Sequence, residues 1–284
     1  MAPHRIAIVT DSSAYIPTEA VSDYHITVIP VWMIWDGENL RDGLDIDPTS
    51  FYQRLATSKT LPTTSQPTPG EFVSIFKQES ETADTIVCVL VSSKLSGTYE
   101  SAMMAKEQLP NLDIRIVDSA FSSMGLGFCV LAAAQAAESG KSADEVVAAA
   151  VQMSHKMHLL IVVDTLEFLH RSGRIKATKR ALGTLLQVKP ILHFEEGLIQ
   201  SLSSERTMKK ALSRMLDIAE KRLGDKKMAQ AAVVDVDAKN RGDQVAEIIH
   251  DRFTPPNILR SGVSPVVGAI VGPGTIGVAF YSED

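Results

Sequence analysis

The sequence predicts an α/β protein with substantially parallel sheets, and three observations point there. Short apolar, β-branched runs recur along the chain. Several close on Asp and a small polar residue: 5–10 before Asp11-Ser12, 114–117 before Asp118-Ser119 and 159–163 before Asp164-Thr165. The run 85–91 closes on Ser92-Ser93, and 231–234 before Asp235 is a looser case. Continuous apolar runs of this length suit strands buried on both faces. Between several of them lie segments with Ala, Met and Leu at helical spacing: 97–109, 124–139, 142–157, 208–223 and 241–252. That alternation is the mark of βα units. The composition is also that of a globular chain. The 284 residues are 45% hydrophobic and 22% charged, enough for two modest domains.

Individual boundaries follow from capping chemistry. Asp47 before Pro48 starts a helix at Thr49. Thr68-Pro69-Gly70-Glu71 is a capping box with proline at the first helical position, so a helix runs from there to about residue 79. Lys189-Pro190 stops a helical stretch. The runs 191–194 and 198–201 flank Glu195-Glu196-Gly197 and form a hairpin. A domain boundary is expected near residue 155, after two adjacent helices, giving units 1–155 and 156–284.

Several function classes are disfavoured. The net charge is −6, and no long Lys/Arg block offsets it, so no nucleic acid partner is expected. No run of eighteen apolar residues predicts a membrane span. The first residues enter a strand directly, which does not resemble a signal peptide, so a cytoplasmic location is expected. Cys88 and Cys129 sit in apolar surroundings as small core residues. His155 and His158 have no third ligand at a telling spacing, so they are read as surface histidines and no metal is expected. Gly272-Pro273-Gly274-Thr275-Ile276-Gly277 matches G-x-G-x-x-G, but only residues 278–284 follow it. A dinucleotide site needs a helix there. The motif is a glycine turn, either structural or beside a ligand.

The informative pair is Thr64-Ser65-Gln66-Pro67 and Ser96-Gly97-Thr98-Tyr99. The first precedes a capped helix. The second follows a strand and opens a helix, where backbone N–H groups and the helix dipole favour an anion. The Thr64 and Ser96 hydroxyls either join such a site or merely cap helices. Basic residues cluster at Arg171, Arg174, Lys176, Lys179 and Arg180, with Arg206, Lys209 and Lys210 later. They form a solvated helix face or a docking surface for an acidic partner or nucleotide phosphates.

Together the motifs resemble the DegV family. They are Ile8-Val9-Thr10-Asp11-Ser12-Ser13, Thr64-Ser65-Gln66-Pro67, Ser92-Ser93-Lys94-Leu95-Ser96-Gly97-Thr98 and Val117-Asp118-Ser119, then Ser172-Gly173-Arg174-Ile175, Lys189-Pro190-Ile191, Arg206 and Gly272-Pro273-Gly274. The ordered set covers nearly the whole chain. The resemblance implies two α/β domains, with a mainly parallel sheet in the first and a mixed sheet in the second. It implies a non-enzymatic carrier that holds a long-chain fatty acid in a buried tunnel, without a cofactor. Thr64, Ser65, Ser96 and Gly97 would surround the carboxylate, and Phe121, Met124, Phe128 and Ile270 would form the wall or the head-group vicinity. It further implies a partner, an ATP-dependent fatty acid kinase that phosphorylates the presented carboxylate, with Arg206 and Arg174 as contacts. Transient contact with a membrane surface is compatible with this role. No G-x-x-x-x-G-K-[ST] loop is present, consistent with ATP binding on the partner.

One departure stands out. Family members commonly carry His shortly before the terminal Gly-Pro-Gly, and Ile270 occupies that place. A lost charge-assisted hydrogen bond is worth roughly 1.5–3 kcal/mol, unless a water, His193 or another group substitutes. The remaining alternatives are a carrier of another amphipathic anion and a Ser96-dependent hydrolase or transferase. Against the latter, no G-x-S-x-G elbow or activating base is apparent.

Overall fold

In the computed structural model, residues 5–175 and 188–283 are described. The segment 176–187, with Lys176, Lys179 and Arg180 and the helical stretch expected before Lys189, lies outside them. The first half carries a parallel sheet made of β1 (Ile6–Asp11), β2 (Thr27–Ile29), β6 (Thr85–Leu90) and β7 (Asp113–Asp118), in spatial order β2-β1-β6-β7. All six residues of β6 are buried, as expected for a strand covered on both faces. Helix α1 (Thr18–Asp23) leads from β1 to β2.

A small antiparallel sheet inserts between β2 and β6. It consists of β3 (Trp32–Trp35), β4 (Glu38–Arg41) and β5 (Thr63–Ser65), in order β4-β3-β5. Thr64 therefore lies on a strand, just ahead of the capped helix. Thr64 pairs with Met33 across the ladder.

Capping sets the helices as expected. Asp47 accepts from Thr49 N and Ser50 N and starts α2 (Pro48–Thr57). Thr68 and Glu71 close a capping box at α3 (Pro69–Ser80). Helix α4 (Thr98–Glu107) follows β6, and α5 (Ser123–Glu138) follows β7. Helix α5 is buried over most of its surface and touches β1 and β6 on one side and β13 (Ile276–Ser282) on the other. A helix apolar all round belongs between layers, and α5 is the layer shared by the two sheets. Helix α6 (Ala143–Lys156) packs beside it.

The second sheet is mixed. Its strands are β8 (His158–Val162), β9 (Lys189–Glu195), β10 (Leu198–Glu205), β11 (Met228–Asp235), β12 (Ile258–Ser261) and β13, ordered β10-β9-β8-β13-β11-β12. Only the β11–β12 pair is parallel. The hairpin β9–β10 turns at Glu196-Gly197 as predicted. Short α7 (Glu167–Arg171) follows β8, α8 (Met208–Leu223) and α9 (Lys239–Phe253) flank β11, and α10 (Pro265–Val271) precedes β13. One apolar cluster, from Ile8 through Phe128 and Leu159 to Ala279, spans both halves.

The Gly-Pro-Gly motif is a turn between α10 and β13, with Gly272 at φ +83 and Gly274 at φ +81. A Cβ on Gly272 would lie 2.4 Å from the Phe168 ring, so glycine is required there twice over. His155 is exposed at the end of α6. His158 is half-buried at the start of β8, against Phe280 at 5.2 Å, and burial lowers its imidazole pKa to about 4. Among the described residues no helix is long and apolar enough to cross a membrane, and no three His, Cys, Asp or Glu side chains form a metal cluster.

Candidate functional site

From β1 the chain moves to β2 on one side, and β6 pairs on the other. This reversal opens a crevice beyond the carboxyl ends of β1 and β6, where open α/β sheets bind ligands. Asp11 fastens its two edges. Its carboxylate accepts from Ser13 N at 3.0 Å and Val91 N at 2.8 Å. Burial raises the Asp11 pKa, and those hydrogen bonds partly offset the effect.

A chamber of about 80 Å³ lies against this crevice. Val91, Leu95 and Ser96 line it from the loop after β6. Val31 and Thr64 enter from the small-sheet segment, and Leu159 and Ile161 from β8. Phe194 and Ile199 come from the β9–β10 hairpin, and Val266, Val267, Ile270 and Val271 from α10. Most of this wall is apolar. Polar groups enter at Thr64, Ser96 and Arg174, and also at Ser13, Ser122 and Ser123.

An outer cavity of about 230 Å³ adjoins the chamber. Thr64, Arg174 and Ile270 line both spaces and so form the mouth, while Arg171 and Phe168 belong to the outer cavity. Arg174 donates to Leu95 O at 3.3 Å and Ser172 O at 2.7 Å. Burial lowers its guanidinium pKa. Its charge thus faces carbonyl dipoles at the mouth.

The structure brings Thr64, Ser96, Arg174 and Ile270 together. The Ser96 Oγ lies 2.8 Å from Thr98 Oγ1 and accepts weakly from Thr98 N at 3.4 Å. It therefore helps cap α4 and lines the chamber as well. Its hydroxyl neighbour is another hydroxyl, which cannot activate it as a nucleophile.

Other candidates fall nearby but outside the lining. Ser65 follows Thr64 on β5 and projects to the opposite face. Gly97 is the N-cap of α4, pressed under Gln66, whose Nε2 would sit 3.0 Å from an added Cβ. Phe121 stands behind the wall, its ring 5.4 Å from Phe194. Met124 and Phe128 are deeper core residues, because α5 turns Ser122 and Ser123 toward the chamber instead. His193 follows the strand alternation away from Phe194 and lies 3.0 Å from Arg222 Nη2. It does not occupy the place left by Ile270. Arg206, exposed between β10 and α8, lines neither space. The hairpin and α10 supply much of the wall that sequence reasoning missed. Alternation in 191–199 and the Pro265-Val266-Val267 start after Ser264 were the available signals.

Two larger clefts, of about 630 and 530 Å³, meet at Pro48, Arg260, Ser261 and Gly262. They suit a carboxylate ligand poorly. Asp235, Asp237 and Asp243 line one, and Asp11, Asp42 and Asp47 the other. Arg260, their main cation, is already held by Asp235 at 3.0 Å and Asp243 at 2.9 Å.

Comparison with known proteins agrees with this architecture. The family model described as "Uncharacterised protein, DegV family" matches residues 5–283. The DegV domain-containing protein SCO2569 of Streptomyces coelicolor is 38% identical, over 98% of this chain and 99% of that one. The fold is similar to a fatty-acid-binding DegV family protein of Thermus thermophilus, with a TM-score of 0.92 and 31% identity over 98% of this chain and 100% of that chain. It is likewise similar to DegV of Bacillus subtilis, a fatty acid binding protein, with a TM-score of 0.90 and 31% identity over 99% and 100% of the two chains. A match over nearly the full length makes this chain a member of the DegV family.

Proposed function

We propose that this protein binds one long-chain fatty acid in the chamber and presents its carboxylate at the mouth to a separate ATP-dependent kinase. The observation that carries this reading is the division of the chamber: an apolar wall inside, and Thr64, Ser96 and Arg174 converging near an outer cavity. Similar proteins from Thermus thermophilus and Bacillus subtilis are fatty-acid-binding.

The physical division of labour is direct. Each buried methylene contributes roughly 0.8 kcal/mol, so about fourteen give on the order of 11 kcal/mol before association costs. The tail therefore sets affinity. The hydroxyls and the guanidinium fix which end faces outward. A volume of about 80 Å³ is below the roughly 300 Å³ of a small-ligand pocket. Entry of an acyl chain thus requires wall side chains such as Phe194, Ile199 and Ile270 to move apart. In this reading the outer cavity gives a kinase access to the carboxylate, and Arg206 contributes to docking that partner.

Mass spectrometry of an organic extract of natively purified protein tests the ligand class, with stoichiometric long-chain fatty acid expected. Ser96→Ala should then weaken fatty acid binding about tenfold in a calorimetric titration, with the fold intact and only a small loss of thermal stability from the weakened α4 cap. Equal affinity would remove Ser96 from the head-group site.

A further inference from the structure

Building on the fatty-acid reading, we infer that the chamber holds a second polar subsite, made by the hydroxyls of Ser13 and Ser123, which recognises a hydroxyl or oxo substituent on the acyl tail. Both residues line the chamber but not the outer cavity, so they lie away from the mouth. Ser13 is 5% exposed and Ser123 7%. Neither Oγ has a hydrogen-bond partner. Ser13 lies beside the Asp11 carboxylate and partly offsets the effect of burial on it, yet makes no bond of proper geometry with it.

Buried hydroxyls are ordinarily paired, and leaving one unpaired in an apolar space is unfavourable. An unsubstituted alkyl tail would seal both hydroxyls away from any partner. A tail hydroxyl satisfies both, donating to one and accepting from the other, and an oxo group accepts from both.

The backbone points the same way. Ser123 has φ +52 although it is not glycine, a strained conformation that tends to occur at ligand sites. The neighbouring Ser122 is the N-cap of α5 but makes no side-chain cap bond, and it too lines the chamber. The start of a sixteen-residue helix thus turns two serine side chains to the chamber, using neither for the helix.

The test compares stearic acid with monohydroxystearic acids bearing the hydroxyl near the head, at mid-chain or near the methyl end. Calorimetric titrations use wild type, Ser13→Ala, Ser123→Gly and the double variant. Glycine at 123 keeps the positive φ, so the fold is preserved without the hydroxyl. Wild type should bind one hydroxy isomer about fivefold more tightly than stearate. The double variant should lose that preference while holding stearate at least as tightly. Two results would overturn the subsite: stearate binding wild type as well as every isomer, or a preference that survives both substitutions. Failure of every acid, stearate included, would instead overturn the fatty-acid reading and the subsite with it.

Discussion

Two half-buried arginines, Arg260 and Arg174, line separate cavities and are used in opposite ways. Arg260, on β12, bonds Asp235, Asp243 and the Val233 carbonyl at 2.7 Å. Gly242 makes room for it: an added Cβ would lie 2.6 Å from Nη2. Arg174 bonds two carbonyls at the chamber mouth. A cation clamped between carboxylates is part of the scaffold. A cation whose hydrogen-bond partners among the described residues are carbonyls, at the entrance of an apolar chamber, has charge left for a ligand. The larger clefts therefore read as structural seams, and the small chamber is the candidate site.

Arg260→Gln gives the largest effect. Removing one partner of a largely desolvated ion pair costs about 3 kcal/mol, because Asp235, with its side chain 10% exposed, stays behind. Urea unfolding should show that loss, while the folded variant still binds fatty acid. Normal stability would mean that Arg260 is not a clamp.

Arg174→Gln should reverse the pattern. It removes a partly buried cation, so stability should hold or rise slightly. Fatty acid affinity should fall about tenfold, corresponding to one lost charge-assisted hydrogen bond. A stability loss without an affinity loss would make Arg174 a second scaffold residue and erase the contrast.

The polar side can be probed by pH. Burial raises the Asp42 carboxyl to about 7, against hydrogen bonds from Ser12 and Ser264 that lower it. The unfolded group titrates near 4. Between about pH 4 and 7 the folded state holds the extra proton, so this group's contribution to stability falls as pH rises. Asp42→Asn removes that slope. The variant's urea midpoint relative to wild type should therefore be higher at pH 8 than at pH 5. An unchanged difference would show that Asp42 is already ionised at pH 5.

What was legible in the sequence follows the same division. The β6 and β7 runs, the Thr68 capping box and the hairpin at Glu196-Gly197 are local signals, and each appears where local chemistry placed it. The small sheet was missed although Asp36-Gly37, with φ +51 and +84, is a strong hairpin signal. Its strands are only three or four residues long. Thr64, Ser96 and Arg174, which line the candidate chamber, all stand in motifs visible in the sequence. The wall was not, because which face of α5, β9 or α10 meets the chamber is decided by tertiary packing. That is why Phe121 lies one layer behind Phe194, and why Ser123 was passed over.

The smallest expected effect is also the sharpest test of the mouth. Ile270 lines both cavities, at the place where the family resemblance leads us to expect His. Ile270→His places a hydrogen-bond donor beside Thr64 and Arg174 at little steric cost. At pH 8 the neutral imidazole should tighten fatty acid binding about threefold, the lower end of one hydrogen bond. Below about pH 6.5 protonation adds attraction for the carboxylate, though repulsion from Arg174 delays that gain to lower pH. The ratio of variant to wild-type affinity should therefore grow between pH 8 and about pH 5. A ratio that stays at one throughout would mean that the carboxylate does not lie at Ile270. The inner serines would then be the better candidates for the head group, and the bound acid would run through the chamber in the opposite direction.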